Sequence, residues 1–153
     1  MAASLHITRC DSDNPDFRQL VALLDATLAI LDGEDHAFYA QFNKIDKIKN
    51  AVVAYLDGEA VACGAFRPYD EQSVEIKRMF VWPEHRGKGI ARAVLQAVEN
   101  WAAEEGYQRC ILETGQKQPE AINLYHSSGY HDIPNFGQYA GVENSVCMEK
   151  ILL

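Results

Sequence analysis

Residues Val74 to Ala91, VEIKRMFVWPEHRGKGIA, constrain this chain more than any other stretch. A strand-like run stops at Pro83, and a basic turn holding Gly87 and Gly89 then opens a long amphipathic helix. Glycine lets the main chain approach a ligand with no Cβ in the way, and Arg86 and Lys88 add positive charge. The first N–H groups of a helix have no partner within it, and the aligned peptide dipoles favour an anion there. A strand, a glycine turn and a helix in this order make a seat for phosphate.

The 153 residues suit one domain spanning 1–153, long enough to bury a core without staples. The 14 Lys and Arg against 22 Asp and Glu leave a net charge of −8, which argues against nucleic acid as the partner. The N-terminal MAASLHITRCDSDNPDF has neither a charged leader nor a long apolar core, and no stretch reads as a membrane span. A cytoplasmic protein without a membrane partner is expected. Cys10, Cys63, Cys110 and Cys147 lie far apart, with no CxxC and no nearby His pair, so free thiols are expected rather than zinc or disulfides.

The hydrophobic period changes along the chain. SLHITR alternates weakly as a first strand, and Asp11, Asp13 and Asn14 can cap the helix whose stripe is Phe17, Leu20, Val21, Leu23, Leu24, Leu28 and Leu31. A second, shorter helical pattern follows with Phe38, Phe42 and Ile45. From residue 50 the period is two, and Asp57-Gly58 marks a β-hairpin. A strand from Ser73 to Trp82 follows. Simple alternation puts Glu75, Lys77, Met79 and Val81 on one side, and Val74, Ile76, Arg78, Phe80 and Trp82 on the other. A helix from about Gly87 to Glu105, the strand RCILET, a helix from Pro119 to Gly129 and two last strands complete the order β, α, α, β, β, β, α, β, α, β, β.

Two phosphate motifs fail against the turn. A nucleotide P-loop needs Ser or Thr after Gly-Lys, where Gly89 stands, and the dinucleotide fingerprint needs a small residue where Arg92 stands. What remains is Arg86-x-x-Gly89-x-Ala91 after a strand ending in Phe80-Val81. These residues resemble the acetyl-coenzyme A loop of the GNAT family of N-acetyltransferases. The resemblance extends over roughly residues 50 to 152, with the strand MFV before the loop, ILET after the helix, and the helix EAINLYHSSGY. Within the family, EIKRMFV, ETG and GQYAGVENSVCMEK are similar to a bacterial subgroup of acetyltransferases sometimes linked to indole-acetate metabolism.

The resemblance implies an α/β (α+β) fold. Its mixed, mostly antiparallel sheet has about six or seven strands, splayed between the fourth and fifth, with about four flanking helices. Coenzyme A would lie in the split. Its pantetheine arm would pair with the backbone of Met79, Phe80 and Val81, and its pyrophosphate would rest on Arg86, Gly87, Lys88, Gly89, Ile90 and Ala91. Two negative charges held by backbone donors need no metal, and none is expected.

Amide formation from a thioester requires a neutral amine, a polarised carbonyl and a proton for the departing thiolate. On the resemblance, Glu75 is the candidate base and Glu113, on the neighbouring strand, a second; the alternative for Glu75 is a surface carboxylate paired with Lys77 or Arg78. Tyr125 matches the family tyrosine that donates a proton to sulfur, against the alternative of a core tyrosine. Asn123 matches a coenzyme contact, or is an exposed helix residue. Acceptor choice falls to the less matched parts: Glu34, His36 and Tyr39, which could cradle a cation or merely start a helix, and the late loop with Tyr139, which could close over the acceptor or lie at a homodimer contact. An acyl-cysteine route through Cys63 or Cys110 is disfavoured, since neither has a neighbouring His. The expected activity is acetyl transfer from acetyl-CoA to a small-molecule or peptide amine. The rival is a coenzyme-A-binding sensor that has lost catalysis.

Overall fold

The computed structural model describes residues 4–33 and 47–152. The second helical pattern, with Glu34, His36 and Tyr39, falls outside these residues. Ten elements position the site: β1 (Leu5–Cys10), α1 (Pro15–Asp32), β2 (Asn50–Leu56), β3 (Glu59–Pro68), β4 (Ser73–Val81), α2 (Ile90–Glu104), β5 (Arg109–Gly115), α3 (Pro119–Ser127), β6 (His131–Ile133) and β7 (Ser145–Ile151). The seven strands form one sheet in the order β1-β2-β3-β4-β5-β7-β6. Every neighbouring pair is antiparallel except β4 and β5, which run parallel. Three α-helices stand among the described residues where about four were expected, the pattern read as the other lying within 34–46. None of the described helices is long and apolar enough to cross a membrane.

Local chemistry accounts for the element ends. Asn14 accepts the Phe17 N–H at 3.0 Å, and Pro15 follows where its missing N–H costs nothing, so α1 starts there. Asp57 and Gly58 both take positive φ, 50° and 85°, the geometry that closes a tight hairpin between β2 and β3.

The sheet buries a cluster on each face. Phe17, Leu20 and Val21 of α1 pack on Ala51, Val53, Cys63, Ala65 and Phe80. On the opposite face Val94, Leu95 and Val98 of α2 and Tyr125 of α3 pack on Val52, Phe66, Val74, Ile76, Leu112 and Met148.

One expectation about β4 is corrected. Alternation holds from Val74 to Lys77 and then reverses, because Cys63 pairs with Phe80 while Ala65 pairs with Lys77. One residue of β3, Gly64, therefore lies opposite two of β4, Arg78 and Met79, and the extra residue is a β-bulge at Arg78, whose φ is 62°. Met79 and Val81 consequently join Val74 and Ile76 on the α2 face, while Arg78 and Phe80 join Glu75 and Lys77 on the α1 face. Gly64 lies opposite the bulge because a Cβ there would stand 2.6 Å from Met79 Sδ and 2.9 Å from Val94 Cγ1.

Candidate active site

β4 and β5 pair only through Ser73 with Arg109, Val74 with Cys110 and Glu75 with Ile111. Beyond these pairs β5 continues against β7 as far as Gly115 with Ser145, while Ile76 to Val81 keep only β3 beside them among the described residues. The strands therefore part, as expected of the fourth and fifth. The cleft so opened is lined by Glu75, Lys77, Arg78 and Met79 of β4, Glu113 of β5, Tyr125 of α3 and the half-buried Leu24 and Leu28 of α1.

Glu75 is 2% exposed. One of its oxygens accepts from Arg67 Nε and Nη2 at 3.2 and 3.0 Å, and the other faces Lys77 Nζ at 3.6 Å. The alternative of a surface carboxylate therefore fails on exposure, since Glu75 is buried; of the two partners it named, Lys77 is present, Arg67 is added, and Arg78 pairs with Asp25 instead. Burial holds the Lys77 ammonium below the usual lysine range, with Glu75 pulling the other way. Glu113 stands across the split, half-buried, on the same face as Glu75.

Tyr125 reaches the cleft from α3 and is 7% exposed. Burial first, and then the charge of Glu113, push its phenol well above the ordinary range, so it stays protonated. Its ring meets that of Tyr130 edge-on at 5.8 Å. Tyr139, on the short turn Gly137–Tyr139, is buried; burial first, then the charges of Glu113 and Glu75, raise its phenol too. The structure thus brings Glu75, Glu113 and Tyr125 to one cleft, with Tyr139 within the field of both carboxylates.

The glycine turn lies at the end of β4. Arg86 Nε donates to the Val81 carbonyl at 3.1 Å, tying the turn to the strand. Gly87 and Gly89 take φ of 78° and 79°, where an L side chain is strained, and no atom lies within 4 Å of the place a Cβ would occupy. Gly89 caps α2 with no side-chain hydrogen bond, so the first N–H groups, from Ile90 and Ala91, gain no partner from the cap and have none within the helix. Ile90 is buried and anchors the helix start, while Arg86 and Lys88 are exposed. Met79 lines the cleft, whereas the side chains of Phe80 and Val81 turn into the two cores and leave their backbone for the open edge. Asn123 is exposed on α3. The donors and the empty space fit a diphosphate, and the open strand edge fits an extended amide-bearing chain.

All four cysteines are free. Burial pushes the thiols of Cys63 and Cys110 up to about 12, and Cys63 Sγ donates to the Arg78 carbonyl at 3.2 Å, so neither is poised as a nucleophile. Among the described residues no group of three His, Cys, Asp or Glu side chains is placed to hold a metal ion.

Sequence reasoning overlooked Arg67, Leu24, Leu28 and Arg78 as parts of this site. Counting equal arms from a turn closed by Tyr69 and Ser73 sets Arg67 opposite Glu75 and would have found it. The leucines belonged to a visible stripe, but no local signal marked which of them meet the cleft.

Residues 17–130 match the acetyltransferase (GNAT) family. An IAA acetyltransferase from Azospirillum brasilense is 40% identical over 102 residues, covering 66% of this chain and 67% of that protein. Among solved structures, a candidate acyl-CoA N-acyltransferase from Klebsiella pneumoniae superposes with a TM-score of 0.82 at 30% identity, over 97% of this chain and 98% of the other. A GNAT acetyltransferase from Elizabethkingia anophelis with acetyl-CoA bound shares the fold, with a TM-score of 0.70 at 19% identity over 97% and 98% of the two chains. With the parted strands and the glycine turn, these matches show that the chain belongs to the GNAT family and is an acetyl-CoA-dependent N-acetyltransferase.

Proposed function

We propose that the chain passes the acetyl group of acetyl-CoA directly to the amine of a small molecule or peptide, at the split between β4 and β5. The observation that carries this reading is the cleft itself, where carboxylates from one face of the sheet and a protonated tyrosine from the other converge. The turn Arg86 to Ala91 and the open edge Met79 to Val81 hold the coenzyme, with Asn123 beside it, and no metal takes part. Acetyl-CoA supplies an activated acyl carbon; the new C–N bond forms as the C–S bond breaks.

Glu75 takes the proton of the attacking amine, directly or through water, since alkyl amines have a pKa of roughly 10 and arrive charged at neutral pH. A second reading gives this role to Glu113, favoured because Glu75 already holds two cations. Tyr125 gives its proton to the leaving sulfur. Its raised pKa keeps that proton in place while the amine titrates.

The test is release of free CoA thiol across a panel of amines. The transfer reading expects amine-dependent release that slows in Tyr125→Phe. A coenzyme-binding sensor would bind acetyl-CoA and release no thiol with any amine.

A further inference from the structure

Arg78 is a buried group in this cleft that the transfer chemistry leaves unused. The bulge in β4 turns it onto the α1 face, and its side chain is only 2% exposed. Nη1 donates to Asp25 Oδ1 at 2.7 Å. Nε and Nη2 are buried with no hydrogen-bond partner among the described residues. A guanidinium cannot shed its proton to escape this cost, so buried N–H groups of this kind call for an acceptor.

The chemistry of the missing acceptor follows from which two donors are idle. Nε–H and Nη2–H lie along one edge of the guanidinium and point in parallel, the fork that meets both oxygens of a carboxylate. The other charges nearby do not satisfy it. Glu75 gives one oxygen to Arg67 and sets the other 3.6 Å from Lys77, where it accepts no hydrogen bond, and Asp25, with a side chain 48% exposed, meets only Nη1. Arg78 lines the cleft beside Leu24 and Leu28, on the face that carries Glu75.

We propose that Arg78 is the specificity anchor of the acceptor site, taking a carboxylate on its Nε/Nη2 edge, so that the acceptor is an amine that also carries a carboxylate, as a free amino acid does. This rests on the acetyltransferase reading. It also replaces the cationic acceptor suggested by the composition of residues 34–39 with a zwitterionic one.

The experiment pairs free amino acids with their carboxamides, L-phenylalanine with L-phenylalaninamide and L-leucine with L-leucinamide among them. Thiol release is measured in the wild type, Arg78→Lys, Arg78→Gln and Asp25→Asn, and acetyl-CoA affinity by calorimetry in each. We expect kcat/KM to favour the carboxylate of a pair about 10- to 100-fold, the worth of a bidentate charged contact. Arg78→Gln should lose that preference mainly through KM, and Arg78→Lys should keep part of it, with acetyl-CoA affinity unchanged in both. Asp25→Asn frees the guanidinium from its one carboxylate, so KM for the carboxylate substrate should fall. A purely structural ion pair would instead make Asp25→Asn as harmful as the Arg78 variants, and that result overturns the anchor. Equal use of both members of every pair, or turnover of carboxamides alone, overturns the anchor and leaves the transfer reading standing. Loss of acetyl-CoA affinity in Arg78→Lys with KM for the carboxylate unmoved assigns the idle donors to the coenzyme and also overturns it. Failure of the wild type to bind acetyl-CoA, or binding without transfer to any amine, overturns both.

Discussion

Glu75 and Tyr125 come from opposite faces of the sheet, and they meet only because the strands part between them. Their proposed roles predict different pH behaviour. In Glu75→Gln the loss of kcat/KM should be largest near neutral pH, about 100-fold, and should shrink towards pH 10 as the amine deprotonates unaided. If Glu113 is the base, Glu113→Gln shows that pattern and Glu75→Gln shows a loss flat with pH. The rate of Tyr125→Phe should drop about 100-fold in kcat with little change in KM for acetyl-CoA. Because burial and Glu113 raise the Tyr125 phenol, the wild-type profile should show no alkaline fall from this group while the amine titrates. Glu75→Gln also removes the carboxylate 3.6 Å from Lys77 Nζ, one of the charges that favour its ammonium. Since burial already lowers the folded pKa of Lys77, the unfolded chain binds more protons there, and this group's contribution to stability rises with pH up to the ordinary lysine range. Thermal denaturation of Glu75→Gln should therefore show a deficit that narrows as pH rises from 7 to 10.

At the scale of elements, the bulge in β4 and the turn before α2 decide the site. Gly64→Ala would push a Cβ against the stiff Val94 and the flexible Met79, and should destabilise the fold by about 1–3 kcal/mol in urea titration. The hairpin, the α2 stripe and the capped start of α1 were legible in the sequence because Asp57-Gly58, the three-and-four spacing of Val94, Leu95 and Val98, and Asn14-Pro15 act locally. The parting of β4 from β5 was legible only through resemblance, since nothing in a strand's own residues says where its neighbour leaves it. The faces of β4 beyond Lys77 were misread for a related reason. A bulge is a mismatch of counts between two strands, and alternation within one strand is silent about it. Arg78 was therefore assigned to the wrong face, and its idle edge went unseen.

On the scale of the whole molecule, α1 closes one face of the sheet, α2 and α3 close the other, and the split opens a passage between them. On the proposed reading the coenzyme would stay on the side of the glycine turn and the acceptor on the side of Arg78 and Glu75, so that the two substrates would enter from opposite directions. The thiols should be bystanders. In native protein, Cys63 and Cys110 should resist a disulfide reagent that labels all four cysteines after unfolding. The most direct measurement of the account is hydrogen exchange with and without acetyl-CoA, with no metal added. Protection is predicted at the amides of Met79 to Val81 and Gly87 to Ala91, the open edge and the turn. Binding that leaves these amides unprotected, while slowing exchange elsewhere, would contradict it.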